Sequence, residues 1–147
     1  MVEKSPRKRD GYKIIKATLD FPKQEVPIDP YIFGYWLGDG DASKARFTSN
    51  DNEIIERIEQ YAEENGSRVS KIECDNSKGY YHISILKREG EYTNWFVDKL
   101  KQLGVFNNKH IPNCYKFNDS ETRLKVLAGL VDSDGTYNPE KYTVEIT

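Results

Sequence analysis

LAGLVDSDG, residues 127–135, and IFGYWLGDG, residues 32–40, are two versions of one short segment. Laid against each other they put Gly34 on Gly129, Asp39 on Asp134 and Gly40 on Gly135, at an offset of 129 − 34 = 95 residues. Each copy is largely apolar and ends in Asp-Gly, the pattern of a helix with a glycine stop. Two destabilising choices recur in both. Small residues lie four apart, Gly34 and Gly38 in one copy and Gly129 and Ser133 in the other, although glycine inside a helix costs up to about 1 kcal/mol relative to alanine. An acid closes each helix, where the macrodipole is already negative. Both choices make sense if the small residues form one stripe along which two parallel helices approach closely, bringing Asp39 and Asp134 to the same end. Like charges so placed require a cation between them. A hard divalent ion, Mg²⁺ or Mn²⁺, takes carboxylate oxygen and keeps waters for a substrate phosphate. It can then activate water and stabilise the leaving oxygen of a phosphodiester.

Outward from the two segments, the chain reads as alternating short elements. Asp29 and Pro30 open the first apolar helix as cap and first residue. A strand, ARFTS, follows, and Asn50 with Asp51 opens a helix whose apolar residues Ile54, Ile55, Ile58, Tyr61 and Ala62 keep a helical period up to Gly66. Its outer face carries Glu53, Glu56, Glu59, Glu63 and Glu64, a solvated acidic surface. RVSKIEC and YYHISIL alternate on either side of DNSKG and read as a hairpin. YTNWFVDKLKQL predicts a helix burying Trp95, Phe96, Leu100 and Leu103 and stopping at Gly104. Ser120 is the expected cap of the helix that ends in LAGLVDSDG, and YTVEIT closes the chain as a strand. Residues 1–11 form a basic N-terminus, a frayed end or a phosphate-seeking arm. Residues 12–30 read as a strand and a proline-pinned linker.

The 147 residues make one domain of α+β class. Net charge is 22 − 24 = −2, so overall charge does not announce a nucleic-acid binder. Ten Tyr, six Phe and two Trp argue against a disordered chain. The absence of a long apolar run or signal-peptide core excludes a membrane or secreted protein. Two cysteines are too few for a disulfide scaffold, so an intracellular setting, cytoplasmic or nuclear, is expected. Cys74, Cys114, His82 and His110 lack the close Cys-x₂₋₄-Cys spacing of a zinc knuckle. No phosphate loop, dinucleotide fingerprint or Ser-His-Asp order is present.

The paired motifs resemble those of the LAGLIDADG homing endonucleases, the dodecapeptide type carried by inteins. LAGLVDSDG is close to the name-giving motif, and YIFGYWLGDG preceded by PIDP resembles the first motif of that type. The resemblance implies an αββαββα repeat, with residues 31–119 as a first repeat and residues 120–147 as the start of a second. It implies sequence-specific double-strand cleavage of DNA with Mg²⁺ or Mn²⁺ held at Asp39 and Asp134, beside Gly38 and Ser133. Gly34, Gly38, Gly129 and Ser133 would form the helix interface. Lys109, in KHIP, matches the family's lysine near the cleavage centre. Lys44, Arg46, Thr48, Arg68, Ser70, Lys71, His82 and Ser84 would offer donors to base edges from the strands.

Two departures qualify that expectation. The stretch between Gly40 and Asn50 has room for one strand where the family places two. After Asp134 only 147 − 134 = 13 residues remain, against 112 − 39 = 73 between Asp39 and Pro112, so the second repeat is expected to be truncated and activity reduced. Splicing chemistry is also missing, since Met1 is no nucleophile and no terminal His-Asn pair is present. The alternatives are a non-catalytic DNA- or RNA-binding relative of maturase type, or an excerpt of a protein-splicing intein with host protein on its flanks. A homodimer supplying a second sheet is a further possibility.

Overall fold

The computed structural model describes residues 19–75, 79–141 and 143–146. The basic terminus, nearly all of the strand expected at 12–19 and the hairpin-turn residues Asn76 and Ser77 lie outside the described residues. Among the described residues the fold is a mixed α+β arrangement of five helices and two small sheets.

Helix α1 (Pro30–Asp39) starts where the sequence says it should. The Asp29 carboxylate accepts the N–H groups of Tyr31 (3.0 Å) and Ile32 (3.1 Å), satisfying two of the donors that a helix start leaves free. Every residue from Tyr31 to Trp36 is buried, so α1 is enclosed on all sides, as an all-round apolar helix must be. One side meets a three-stranded antiparallel sheet built from β1 (Arg46–Ser49), β2 (Val69–Glu73) and β3 (Tyr81–Ile85) in the order β1-β3-β2. Phe47 pairs with Ile83 in the register, and both are fully buried. Helix α2 (Asn52–Glu64) buries Ile54, Ile55, Ile58 and Ala62 and leaves its glutamates outward. Helix α3 (Trp95–Gln102) buries Trp95, Phe96 and Leu100, with Leu103 only half-buried. Helices α4 (Asn113–Lys116) and α5 (Ser120–Asp134) follow, then a hairpin of β4 (Gly135–Asn138) and β5 (Thr143–Ile146).

Several expectations need correction. As the spacing between Gly40 and Asn50 predicts, a single strand lies between α1 and α2, with Gly40 bridged to Phe47; the full αββαββα repeat is not confirmed by this order of elements. Helix α4 was not legible as a helix, being a single turn after Pro112 with no side-chain cap. Asp119 rather than Ser120 caps α5, its carboxylate accepting the Thr122 N–H at 3.0 Å, because an ionised oxygen is the stronger acceptor. Two strands, not one, follow Asp134.

The glycines after the two acids are also not left-handed stops. Gly40 has φ −84° and ψ 150°, and Gly135 has φ −81° and ψ 136°, both extended. Glycine is needed for space instead: a Cβ would lie 2.2 Å from Trp36 Cδ1 at Gly40 and 2.3 Å from the Val131 carbonyl oxygen at Gly135.

The segment before α1 is fastened to the start of α5 by one fully buried side chain. Asn118 accepts the Gln24 N–H at 3.0 Å and donates to the carbonyls of Gln24 (2.9 Å) and Cys114 (2.7 Å). Asn118→Ala strands those backbone groups and is expected to cost about 2–3 kcal/mol, read as a lower urea midpoint with unchanged slope.

Candidate functional site

Helices α1 and α5 pack along the stripe of small residues and run parallel. Gly34 lies against Val126, where a Cβ would be 2.1 Å from the carbonyl oxygen. Gly129 lies against Tyr31 and Tyr35, where a Cβ would be 2.2 Å from the Tyr31 carbonyl oxygen and 2.6 Å from the Tyr35 nitrogen. Further along, Gly38 meets Ser133 and Asp134, with Asp134 Oδ2 only 2.9 Å from where a Cβ would sit. Contacts therefore advance in the same direction on both helices, and the carboxylate of Asp134 rests on the residue next to Asp39.

The electrostatics follow from that placement. Burial, then the charge of Asp134, holds the Asp39 carboxyl above the usual carboxylate range, opposed by the Tyr35 hydroxyl and by Lys109. The Tyr35 hydroxyl donates to Asp39 Oδ2 at 3.4 Å and lies 3.3 Å from the Thr48 carbonyl; burial, with Asp39 adding, pushes its own pKa up to about 12. Lys109 reaches back from the loop before α4 to the end of α1. Its Nζ donates to the carbonyls of Leu37 (3.0 Å), Gly38 (3.1 Å) and Gly40 (2.6 Å) and sits 5.2 Å from the Trp36 ring centroid. A cation on the last carbonyls of a helix satisfies orphan acceptors and complements the macrodipole. Burial lowers the Lys109 pKa, and Asp134, Asp39 and Asp41 oppose that shift. Lys109→Met removes the positive charge that lowers Asp39, so the Asp39 carboxyl is expected to titrate at still higher pH, as NMR of its side-chain carbon would show.

The strand residues divide between two faces. Arg46 stands opposite Ser84, and Ser84 opposite Ser70; Thr48 stands opposite His82. Arg46 Nε donates to Ser84 Oγ at 3.2 Å, and Thr48 Oγ1 is 3.2 Å from His82 Nδ1. These residues, with Arg68 two positions before Ser70, share the face turned away from Phe47 and Ile83. Lys71 does not join them: it pairs with Ile83 on the opposite face, where its ammonium lies 4.7 Å from the Tyr81 ring centroid. Lys44 lies in the turn before β1, paired with Asp41 at 3.7 Å.

Two contributors were missed at the level of sequence. Tyr35 is one helical turn before Asp39, and that spacing was the available signal. Tyr31, whose hydroxyl donates to Asp132 Oδ2 at 2.7 Å, links α1 to α5 beneath the acids; nothing local in the sequence marks that pair. The cysteines are both free and half-buried. Among the described residues, no group of three or more His, Cys, Asp or Glu side chains gathers.

No family model matches the chain. The chain is 34% identical over 130 residues to a replicative DNA helicase DnaB of Mycobacterium intracellulare, a match covering 88% of this chain and 18% of that protein. The chain thus spans about a fifth of the curated relative's length. This comparison corrects the family drawn from the two Asp-Gly helices. The relative that aligns with 88% of the chain bears the name of a replicative helicase and not of a LAGLIDADG homing endonuclease.

Proposed function

We propose that the chain is a piece of an intein-like insert carried within a replicative-helicase polypeptide. The observation that carries this reading is the shape of the match: nearly all of this chain against less than a fifth of a DnaB protein. A helicase motor needs a nucleotide-binding phosphate loop, and this sequence has none. Sequencing the source locus on both sides tests the proposal. Helicase sequence is expected to run up to the inserted segment and resume after it, with splicing residues at the junctions. A continuous helicase domain with no such junctions would contradict it.

Within that insert, the meeting of Asp39 and Asp134 supports a second proposal, a divalent-metal centre acting on DNA. Two carboxylates at the C-terminal ends of two parallel helices concentrate negative charge, which Lys109 partly offsets. Mg²⁺ commonly takes one or two carboxylates and completes its shell with water and substrate phosphate, which suits a donor set of two acids. Such an ion, or Mn²⁺ in its place, supplies Lewis acidity at a phosphodiester. The chain's own residues do the rest. Tyr35 restrains the Asp39 carboxylate, Lys109 holds the α1 terminus and keeps a proton next to the acids, and the open sheet face presents Arg46, Arg68, Ser70 and His82 to a polyanion. Plasmid nicking with and without Mg²⁺ checks this. Asp39→Asn or Asp134→Asn is expected to abolish cutting while sparing DNA binding; a protein that only binds would need no metal and would simply weaken with salt.

A further inference from the structure

Small residues set how closely α1 and α5 approach, but not how far along each other the two helices sit. Gly34, Gly38 and Gly129 bring no side chain to the interface, and their contacts are steric limits without direction. A metal centre split between two helices needs more, because its donors must be held within about 0.5 Å of a productive geometry. Among the described residues, one hydrogen bond joins α1 to α5 directly: the Tyr31 hydroxyl donates to Asp132 Oδ2 at 2.7 Å. That is the length of a charge-assisted bond, stronger and more directional than a neutral one. Tyr31 is buried, and the Arg57 guanidinium of α2 lies 3.4 Å from its ring centroid, so the donor is held from a third element. Asp132 stands two residues before Asp134 on α5, about 200° around the helix, and so does not join the acid pair. Asp51 and Glu53 line the same cleft as Asp132. Without the Tyr31 hydroxyl, their charge would turn the Asp132 carboxylate out into water.

We infer that Tyr31 and Asp132 are positioning residues for the acid pair: their hydrogen bond pins α5 against α1 and so fixes how Asp134 is presented to Asp39. The inference rests on the metal-centre reading above. Neither residue touches the ion; the pair acts through the placement of the two helices. Removing an outer partner of this kind commonly costs roughly 10–100-fold in metal affinity. A merely structural role would instead lower the melting temperature and leave the ion affinity of the folded variants unchanged.

Mn²⁺ binding to the 147-residue protein, followed by electron paramagnetic resonance with thermal melts alongside, tests the inference. Tyr31→Phe removes the hydroxyl alone, keeps the ring beneath Arg57, and is expected to weaken Mn²⁺ binding about tenfold or more. Asp132→Ala should do the same, and the double variant should be no weaker than either, since all three lose one bond. Asp132→Asn still accepts from Tyr31 and should keep most of the native affinity. Native affinity in Tyr31→Phe would overturn the inference. So would an Asp132→Asn as weak as Asp132→Ala, which would assign the effect to charge and not to the bond. Spin-label distances read the helix placement with no metal present. Ser43 and Thr136, both exposed, lie just beyond the two acids. Labels on Ser43→Cys and Thr136→Cys, with Cys74→Ser and Cys114→Ser, should give one narrow distance, broadened or displaced by Tyr31→Phe. An unchanged distance would overturn the inference as well. If the native protein binds no Mn²⁺, the metal-centre reading fails, while these distances still decide whether the pair fixes the helices.

Discussion

Asp39→Asn is expected to make the protein more stable at neutral pH in the presence of a chelator, and to erase the stabilisation that Mn²⁺ or Mg²⁺ gives the native chain. The Asp39 carboxyl is held above its ordinary value by burial and by Asp134. In the pH window between the ordinary carboxylate value and that raised value, the folded protein binds more protons than the unfolded one. Stability conferred by protonated Asp39 is therefore present at low pH and falls as pH rises through the window. Asparagine keeps the shape, still accepts from Tyr35, and removes the charge, so the fall disappears. A divalent ion does the same for the native chain by neutralising the pair. At a free ion concentration about 100 times the dissociation constant, linkage gives roughly 2.7 kcal/mol of stabilisation. Thermal melts across pH 3 to 8, with and without Mn²⁺, read both effects. Asp134→Asn should lose the ion effect as well, since each acid supplies half of the donor set. An ion-induced rise that persists in either variant would remove the metal centre from the account.

Gly129→Val is expected to cost about 3 kcal/mol or more, at or beyond the top of the usual overpacking range. Its side chain would enter backbone, not a flexible neighbour: the Tyr31 carbonyl oxygen, the Tyr35 nitrogen and Gly34 all lie within 3.0 Å of the new Cβ. The helices would have to separate, moving Asp134 away from Gly38 and Asp39. Gly66→Ala is the control. Nothing lies within 4 Å of a Cβ there, and only its φ of +72° opposes the change, for about 1–2 kcal/mol. The two variants separate lost packing from lost backbone freedom. In urea melts Gly129→Val should show the larger loss, and it alone should also lose the Mn²⁺ response.

The helix pair was legible because its sequence carried choices that no isolated helix would favour. Gly34 and Gly129 cost helix propensity, and Asp39 and Asp134 oppose the dipole; only close, parallel packing explains both, and the structure shows that packing. The alternating pattern of β1 and β3 and the apolar period of α2 were equally direct. What failed was of a different kind. Gly40 and Gly135 looked like left-handed stops because Asp-Gly commonly is one, whereas the Trp36 ring and the Val131 carbonyl are what exclude a side chain. Helix α4 was too short to carry a period. Lys71 was grouped with Ser70 although adjacent strand residues face opposite ways. The link from Tyr31 to Asp132 spans 101 residues and has no local signature. The family named from the motifs was overturned by the DnaB match, since two short helices specify a packing geometry and not the polypeptide that carries them.

The reading of this chain as an insert in a helicase polypeptide is tested most directly by the intact masses of the products made when the whole reading frame is expressed. The account predicts two species: a released polypeptide containing residues 1–147, and a helicase whose flanks are joined by a peptide bond without them. One polypeptide of full length that retains the segment, and keeps it after prolonged incubation, would contradict it.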